Sequence, residues 1–113
     1  MADACIFCRI ARGEIPAQML VNSKEIAAFR DVNPQAPVHI LIIPKKHIAS
    51  LDDASDSDLL GRMMSLAAAL ARQEKIAKTG YRTVINTGAQ GGQTVDHLHI
   101  HLLGGRAMTW PPG

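Results

Sequence analysis

From Asp96 to Leu103, polar and apolar residues alternate with a period of two. His97, His99 and His101 take one set of positions, and Leu98, Ile100 and Leu102 take the other. Successive side chains of an extended strand point to opposite faces. The stretch is therefore predicted to be a strand with a row of imidazoles on one face and a core-packing row on the other. A helix would scatter the same three histidines around its circumference. Val38 to Pro44 is apolar on both faces and rich in β-branched residues, which predicts a central strand covered on both sides. His39 is its one discordant residue. Gln18–Val21, Glu25–Asp31 and Tyr81–Asn86 supply three further strands.

Two stretches carry helical spacing instead. Between Cys5 and Gly13, Ile6 and Ile10 share one side of a short helix that Gly13 stops. Between Ser55 and Thr79, Leu59, Met63, Leu66 and Leu70 form a stripe that Leu60, Met64, Ala67 and Ala71 widen. This predicts the main helix, capped by Ser55 with Asp58 three residues on, and closed by Gly80. Turns are expected at Asn22-Ser23, at Asn33–Pro37 and in the glycine-rich loop Thr87–Thr94. About five strands with one long helix and a short N-terminal helix, segregated rather than alternating, indicate an α+β fold on an antiparallel sheet.

The length of 113 residues suits one domain, 1–113, with 104–113 as a C-terminal tail. A hydrophobic fraction of 47% speaks against disorder. The net charge of +2 is spread along the chain and forms no basic stripe, so a nucleic-acid polymer is not an expected partner. No apolar run approaches the roughly 20 residues that cross a bilayer. The opening Met1-Ala2-Asp3-Ala4-Cys5 lacks the order of a secretory signal, so a cytoplasmic location and no membrane contact are expected. Two cysteines are too few for a disulfide framework, and in a reducing compartment they read as thiols or metal ligands.

The histidine row is the chemical centre. A neutral imidazole has a pKa near the operating pH and is a competent nucleophile toward phosphorus. On a rigid strand it is held at fixed geometry, which favours in-line attack. Gly91-Gly92-Gln93-Thr94 stands just ahead of the row. Its glycines admit close approach of backbone N–H groups to phosphate oxygens, while Gln and Thr add side-chain donors. Cys5-x-x-Cys8 is tight enough to chelate, but it offers two ligands where a closed structural zinc site needs four.

These residues resemble the histidine triad family of nucleotide hydrolases and transferases. The likeness runs through Cys5-Ile-Phe-Cys8, Phe29-Arg-Asp31 to His39, Ile43-Pro-Lys-Lys-His47, Gly91-Gly-Gln-Thr94 and His97-Leu-His99-Ile-His101-Leu-Leu. The ending Gly104-Gly-Arg-Ala-Met-Thr-Trp110-Pro-Pro-Gly113 is similar to the Hint branch. The resemblance implies a histidine triad fold and a purine nucleoside phosphoramidase activity. It implies that His99 is the nucleophile, carrying the nucleotide as a covalent intermediate. His101 and the hydroxyl of Thr94 would contact the phosphate or the leaving atom, and His39 would lie beside them. Family members often have Ser at the position of Thr94. Asp31 would hold the ribose hydroxyls. Phe29, Val32 and Ile6 would wall the base pocket, and Asn86, Gly92 and Gln93 would sit near the phosphate. Trp110 would reach the site of a partner subunit in a homodimer. His47 and His97 would complete a structural zinc site with Cys5 and Cys8.

Two other readings stay open at this level. The same site could serve dinucleoside polyphosphates or nucleotidyl transfer, or the domain could act mainly as a nucleotide-binding module. The expected ligands are AMP, GMP and their phosphoramidates, with no organic cofactor.

Overall fold

A computed structural model describes residues 4–113. The first three residues, on which the argument against a secretory signal partly rests, lie outside it. Five strands form one antiparallel sheet: β1 (Met19–Asn22), β2 (Ile26–Arg30), β3 (Val38–Pro44), β4 (Tyr81–Val84) and β5 (Ile100–Gly104), in the order β1-β2-β3-β5-β4. A short helix α1 (Ile6–Ala11) and a long helix α2 (Ser57–Gln73) join them among the described residues, with a 3-10 turn at Leu51–Asp53. This is the α+β architecture that the segregated pattern predicts.

The period-two pattern assigns each sheet face to a different cover. Ile26, Ala28, Ile40, Ile42, Ile100 and Leu102 form one buried cluster with Leu59, Met63, Ala67, Leu70 and Ala71 of α2. Ala27, Phe29, Leu41 and Ile43 point the other way and cluster with Cys5, Phe7, Cys8 and Ile10 around α1. The expectation that β3 is covered on both faces holds for this reason. Full burial of each aliphatic side chain contributes on the order of 1.5–3 kcal/mol.

The alternation at the histidine row is kept, but regular pairing begins only at Ile100. Upstream, the Leu98 amide donates to Ile48 O at 2.7 Å and the His97 amide donates to Val95 O at 2.8 Å. Leu98 still enters the α2-side core with Ile100 and Leu102. His97 and His99 are buried as well, at 0% and 4% exposure, so the imidazole face is walled rather than solvated.

The long helix is shorter than the predicted span from Ser55 to Thr79. Asp56, not Ser55, is its N-cap, accepting from the Leu59 amide at 3.0 Å. It ends at Gln73 because Lys75 adopts φ +62, in the left-handed region, and the chain folds back. Ile76 then enters the core in its own right, 4% exposed. Val84, rather than Asn86, is the last residue of β4.

Candidate active site and metal centre

A cleft of about 540 Å³ opens on the α1 side of the sheet. Residues 29–31 at the end of β2, His39 and Leu41 of β3, and His101 of β5 bring their side chains to it, and His99 and Thr94 join them from the approach to β5. Ile6, Phe29 and Val32 contribute apolar wall. Thus Ile6, Phe29, Asp31, Val32, His39, Thr94, His99 and His101 converge on one cleft.

Main-chain groups fix the tautomers of His99 and His39, and His39 in turn fixes that of His101. A carbonyl can only accept, so His99 Nδ1, 2.7 Å from His97 O, carries a proton and donates it. The neutral ring therefore keeps its lone pair on Nε2. The Gln35 amide donates to His39 Nδ1 at 3.0 Å, which makes that nitrogen the acceptor and places the His39 proton on Nε2. His39 Nε2 lies 2.9 Å from His101 Nδ1 and 3.4 Å from Asp31 Oδ2. With Nδ1 of His101 accepting from His39, the His101 proton sits on Nε2. Asp31 is itself oriented, since its Oδ1 accepts from the Asn33 amide at 2.8 Å.

The electrostatics keep the rings of His101 and His39 neutral. Burial pushes His101 down to about 4, and the neighbouring His99 and His39 add to it, against an opposing pull from Asp31. His39 is also lowered by burial, again opposed by Asp31. Phe7 closes the site from α1, with its ring edge-on to His99 at 5.1 Å and to His97 at 5.9 Å between centroids.

Behind Phe7 lies a second constellation. Cys5, Cys8, His47 and His97 bring one ligand atom each to within 4.8 Å of one another. Nδ1 of His97 lies 3.3 Å from Cys5 Sγ and 3.5 Å from Cys8 Sγ, and Nδ1 of His47 lies 3.2 Å from Cys8 Sγ. A tetrahedral ion with sulfur at about 2.3 Å and nitrogen at about 2.0 Å would set these edges at about 3.6 Å. The donor set and its spacing therefore fit a metal ion with four protein ligands. His97 Nε2 donates to Pro44 O at 2.7 Å, which leaves Nδ1 free to ligate. The Cys8 amide donates to Cys5 Sγ at 3.4 Å, an interaction that favours the thiolate. Neither cysteine is in a disulfide.

Comparison with known proteins places this geometry. The HIT domain model matches residues 12–108. The chain belongs to the HIT domain family. It is 56% identical to an uncharacterized HIT-like protein of Synechococcus elongatus, with 100% of both chains covered. It is 49% identical to the purine nucleoside phosphoramidase of Escherichia coli K12, over 96% of this chain and 92% of that one. A crystal structure of a HIT family hydrolase from Legionella pneumophila superposes with a TM-score of 0.93 at 56% identity, covering 96% and 99% of the two chains.

Four of the residues expected at the HIT site stand outside the cleft. The amides of Gly92 and Gln93 are engaged inside their own loop, donating to Ala89 O and Gly88 O at 3.1 Å each. The Gln93 carboxamide braces that loop: Nε2 donates to Ala49 O at 2.7 Å and Val95 O at 3.0 Å, and Oε1 accepts from the Gly88 amide. Only Thr94 of the motif reaches the cleft. Asn86 is half-buried past the end of β4 and lines no part of it. Trp110 is 81% exposed and lies over the Arg82 guanidinium, 6.0 Å from carbon to ring centroid. Conversely, Phe7, the Gln35 amide and the Pro44 carbonyl act at the two sites without any side-chain signal that marks them. Phe7 reads in the sequence as an ordinary helix residue, and main-chain donors leave no trace in composition.

Proposed function

We propose that the chain hydrolyses purine nucleoside 5′-phosphoramidates through a nucleotidyl-histidine. The observation that carries this reading is the His99 hydrogen bond to His97 O, which leaves an unprotonated Nε2 on a ring lining the cleft. The name of the Escherichia coli relative supports the substrate class.

His99 Nε2 attacks the α-phosphorus, and a P–N bond to the nucleophile forms as the P–N bond to the amine breaks. The Nε2–H of His101 donates a hydrogen bond to the departing nitrogen, which takes its proton from solvent and leaves as the neutral amine. Water then attacks the same phosphorus, its proton passes to solvent, and the nucleotide is released from His99, whose ring returns to neutral. Thr94 donates its hydroxyl to the phosphoryl group. Asp31 accepts from the ribose hydroxyls, and Ile6, Phe29 and Val32 hold the base. Gly92 and Gln93 serve this site indirectly, through the loop that presents Thr94.

A structural zinc ion belongs at Cys5, Cys8, His47 and His97, where two thiolates and two imidazoles match its preference. Four protein ligands leave no open coordination position, so the ion would fix the fold beside His99 without entering the reaction. The chain would act as a single domain, 1–113, working in the cytoplasm as a homodimer. The outer edge of β4 pairs with no strand, and Tyr81 and Met64 expose large apolar surface beside it and on α2. Across that interface Trp110 would meet the partner's cleft.

The test is AMP release from adenosine 5′-phosphoramidate, with intact-mass detection of the adduct after brief exposure. Undiminished turnover in a His99→Ala variant would sink the assignment.

A further inference from the structure

The corner Gly104-Gly105-Arg106 is used by none of the chemistry above, yet it is built against the loop that sets the His39 tautomer. A Cβ on Gly104 would meet Ile76 Cδ1 at 2.5 Å. Gly105 has φ +92, and a Cβ there would lie 2.8 Å from Pro37 Cβ. Only glycine allows the chain to turn this closely onto the loop. The turn delivers Arg106, whose Nε donates to Gln35 O at 3.0 Å across 71 residues of sequence. Its Nη1 donates to Ala107 O at 3.1 Å, which closes the guanidinium around its own backbone.

Gln35 is therefore held on three sides. Its carbonyl accepts from Arg106, its side-chain Nε2 donates to Asn33 O at 3.0 Å, and its amide donates to His39 Nδ1 at 3.0 Å. Gln35 lies on the exposed surface, so no burial holds it in place. Without the amide donor, His39 Nδ1 could carry the proton itself. Nε2 would then face His101 Nδ1 with a lone pair, and two acceptors at 2.9 Å repel. His101 would have to turn or change tautomer, and its Nε2 proton would no longer stand ready for the leaving group.

We propose that Arg106 is a positioning residue for the reaction: by holding Gln35 it keeps the proton on His39 Nε2 and, through it, on His101 Nε2. The proposal rests on the reading of His101 Nε2–H as the hydrogen-bond donor to the leaving nitrogen given above. It assigns a function to the start of the tail that is independent of where Trp110 goes.

Side-chain ¹⁵N spectra of the histidines test this in the intact chain, alongside steady-state kinetics on adenosine 5′-phosphoramidate. In the wild type, His39 shows an unprotonated Nδ1 and a protonated Nε2. In Arg106→Ala both His39 resonances move toward the average of the two tautomers. There kcat falls about tenfold with KM changed less than about twofold, a part of the roughly 10²–10³ that one hydrogen-bond donor aimed at developing charge supplies. Arg106→Lys, which can still donate to Gln35 O, restores the wild-type His39 resonances and most of kcat. Wild-type His39 resonances in Arg106→Ala overturn the proposal, whatever happens to the melting temperature. So does a loss confined to KM. If the wild type shows no turnover of the phosphoramidate, the proposed reaction falls, and the spectra still decide whether Arg106 sets the tautomer.

Discussion

The carbonyl of His97 accepts the Nδ1 proton of His99 at 2.7 Å, while the side chain of His97 turns away to Cys5 and Cys8. One residue thereby serves both sites, with its main chain at the cleft and its imidazole at the four-ligand cluster. The two contributions can be separated by mutation, because any residue at 97 keeps the carbonyl.

His97→Ala is expected to lose the bound ion and several degrees of melting temperature, since metal binding free energy adds to folding free energy. Turnover per folded molecule should change far less than in His99→Ala. Elemental analysis and calorimetry check this. An unchanged melting temperature with unchanged zinc content would show that the division is wrong.

Acid should destabilise the fold through His39 and His101. Both bind protons less readily when folded, and His101 is pushed down to about 4. Between the unfolded value near 6.5 and that level, the unfolded chain holds more protons, so stability rises with pH. The contribution is fully present above about pH 6.5 and is lost as pH falls toward 4. Urea midpoints measured from pH 7 to pH 4.5 should fall, and less steeply in His101→Gln.

Asp31→Ala should raise KM for adenosine 5′-phosphoramidate about tenfold, the loss of a charged hydrogen bond worth about 1.5 kcal/mol. A substrate lacking both ribose hydroxyls should show no such difference between the two proteins in KM. An equal rise on both substrates would remove the ribose from the account.

Gly104→Ala should cost roughly 1–3 kcal/mol as an overpacked core site, because the new methyl meets Ile76 Cδ1. Ile76→Val removes that carbon. Equilibrium unfolding of the double variant should show the two changes to be clearly non-additive, and strict additivity would refute the contact.

Met64→Glu places a charge on the exposed face of α2, where Met64 is 42% exposed. Light scattering at micromolar concentration should report a dimer for the wild type and a monomer for the variant. A monomeric wild type would contradict the proposed assembly and the role of Trp110 within it.

The sequence makes the sheet and its two faces readable because alternation is a local property. Leu98, Ile100 and Leu102 announce their core face without reference to any other segment. The helix end is not local in this way. Whether Ile76 continues α2 or folds into the core after a turn at Lys75 depends on a site near Gly104, almost thirty residues on. The convergence of His39, Asp31, Thr94 and the histidine row was legible as a set of residue types. The brace formed by Gln93 was not, since a Gln beside glycines reads equally well as a phosphate donor or as a loop support. The contact of Arg106 with Gln35 was beyond reach because one partner is a main-chain carbonyl.

The faces of the sheet also constrain how this segment can change over time. From His97 to Leu102, odd positions face the cleft or the Cys/His cluster and even positions face the core. A one-residue insertion or deletion would exchange the two sets, turning imidazoles toward α2 and leucines toward the cleft. The segment can therefore diverge by substitution but not by length. Lengthening should instead be tolerated at exposed turns such as that around Ser23, where the chain leaves one strand for the next and neither face is yet set.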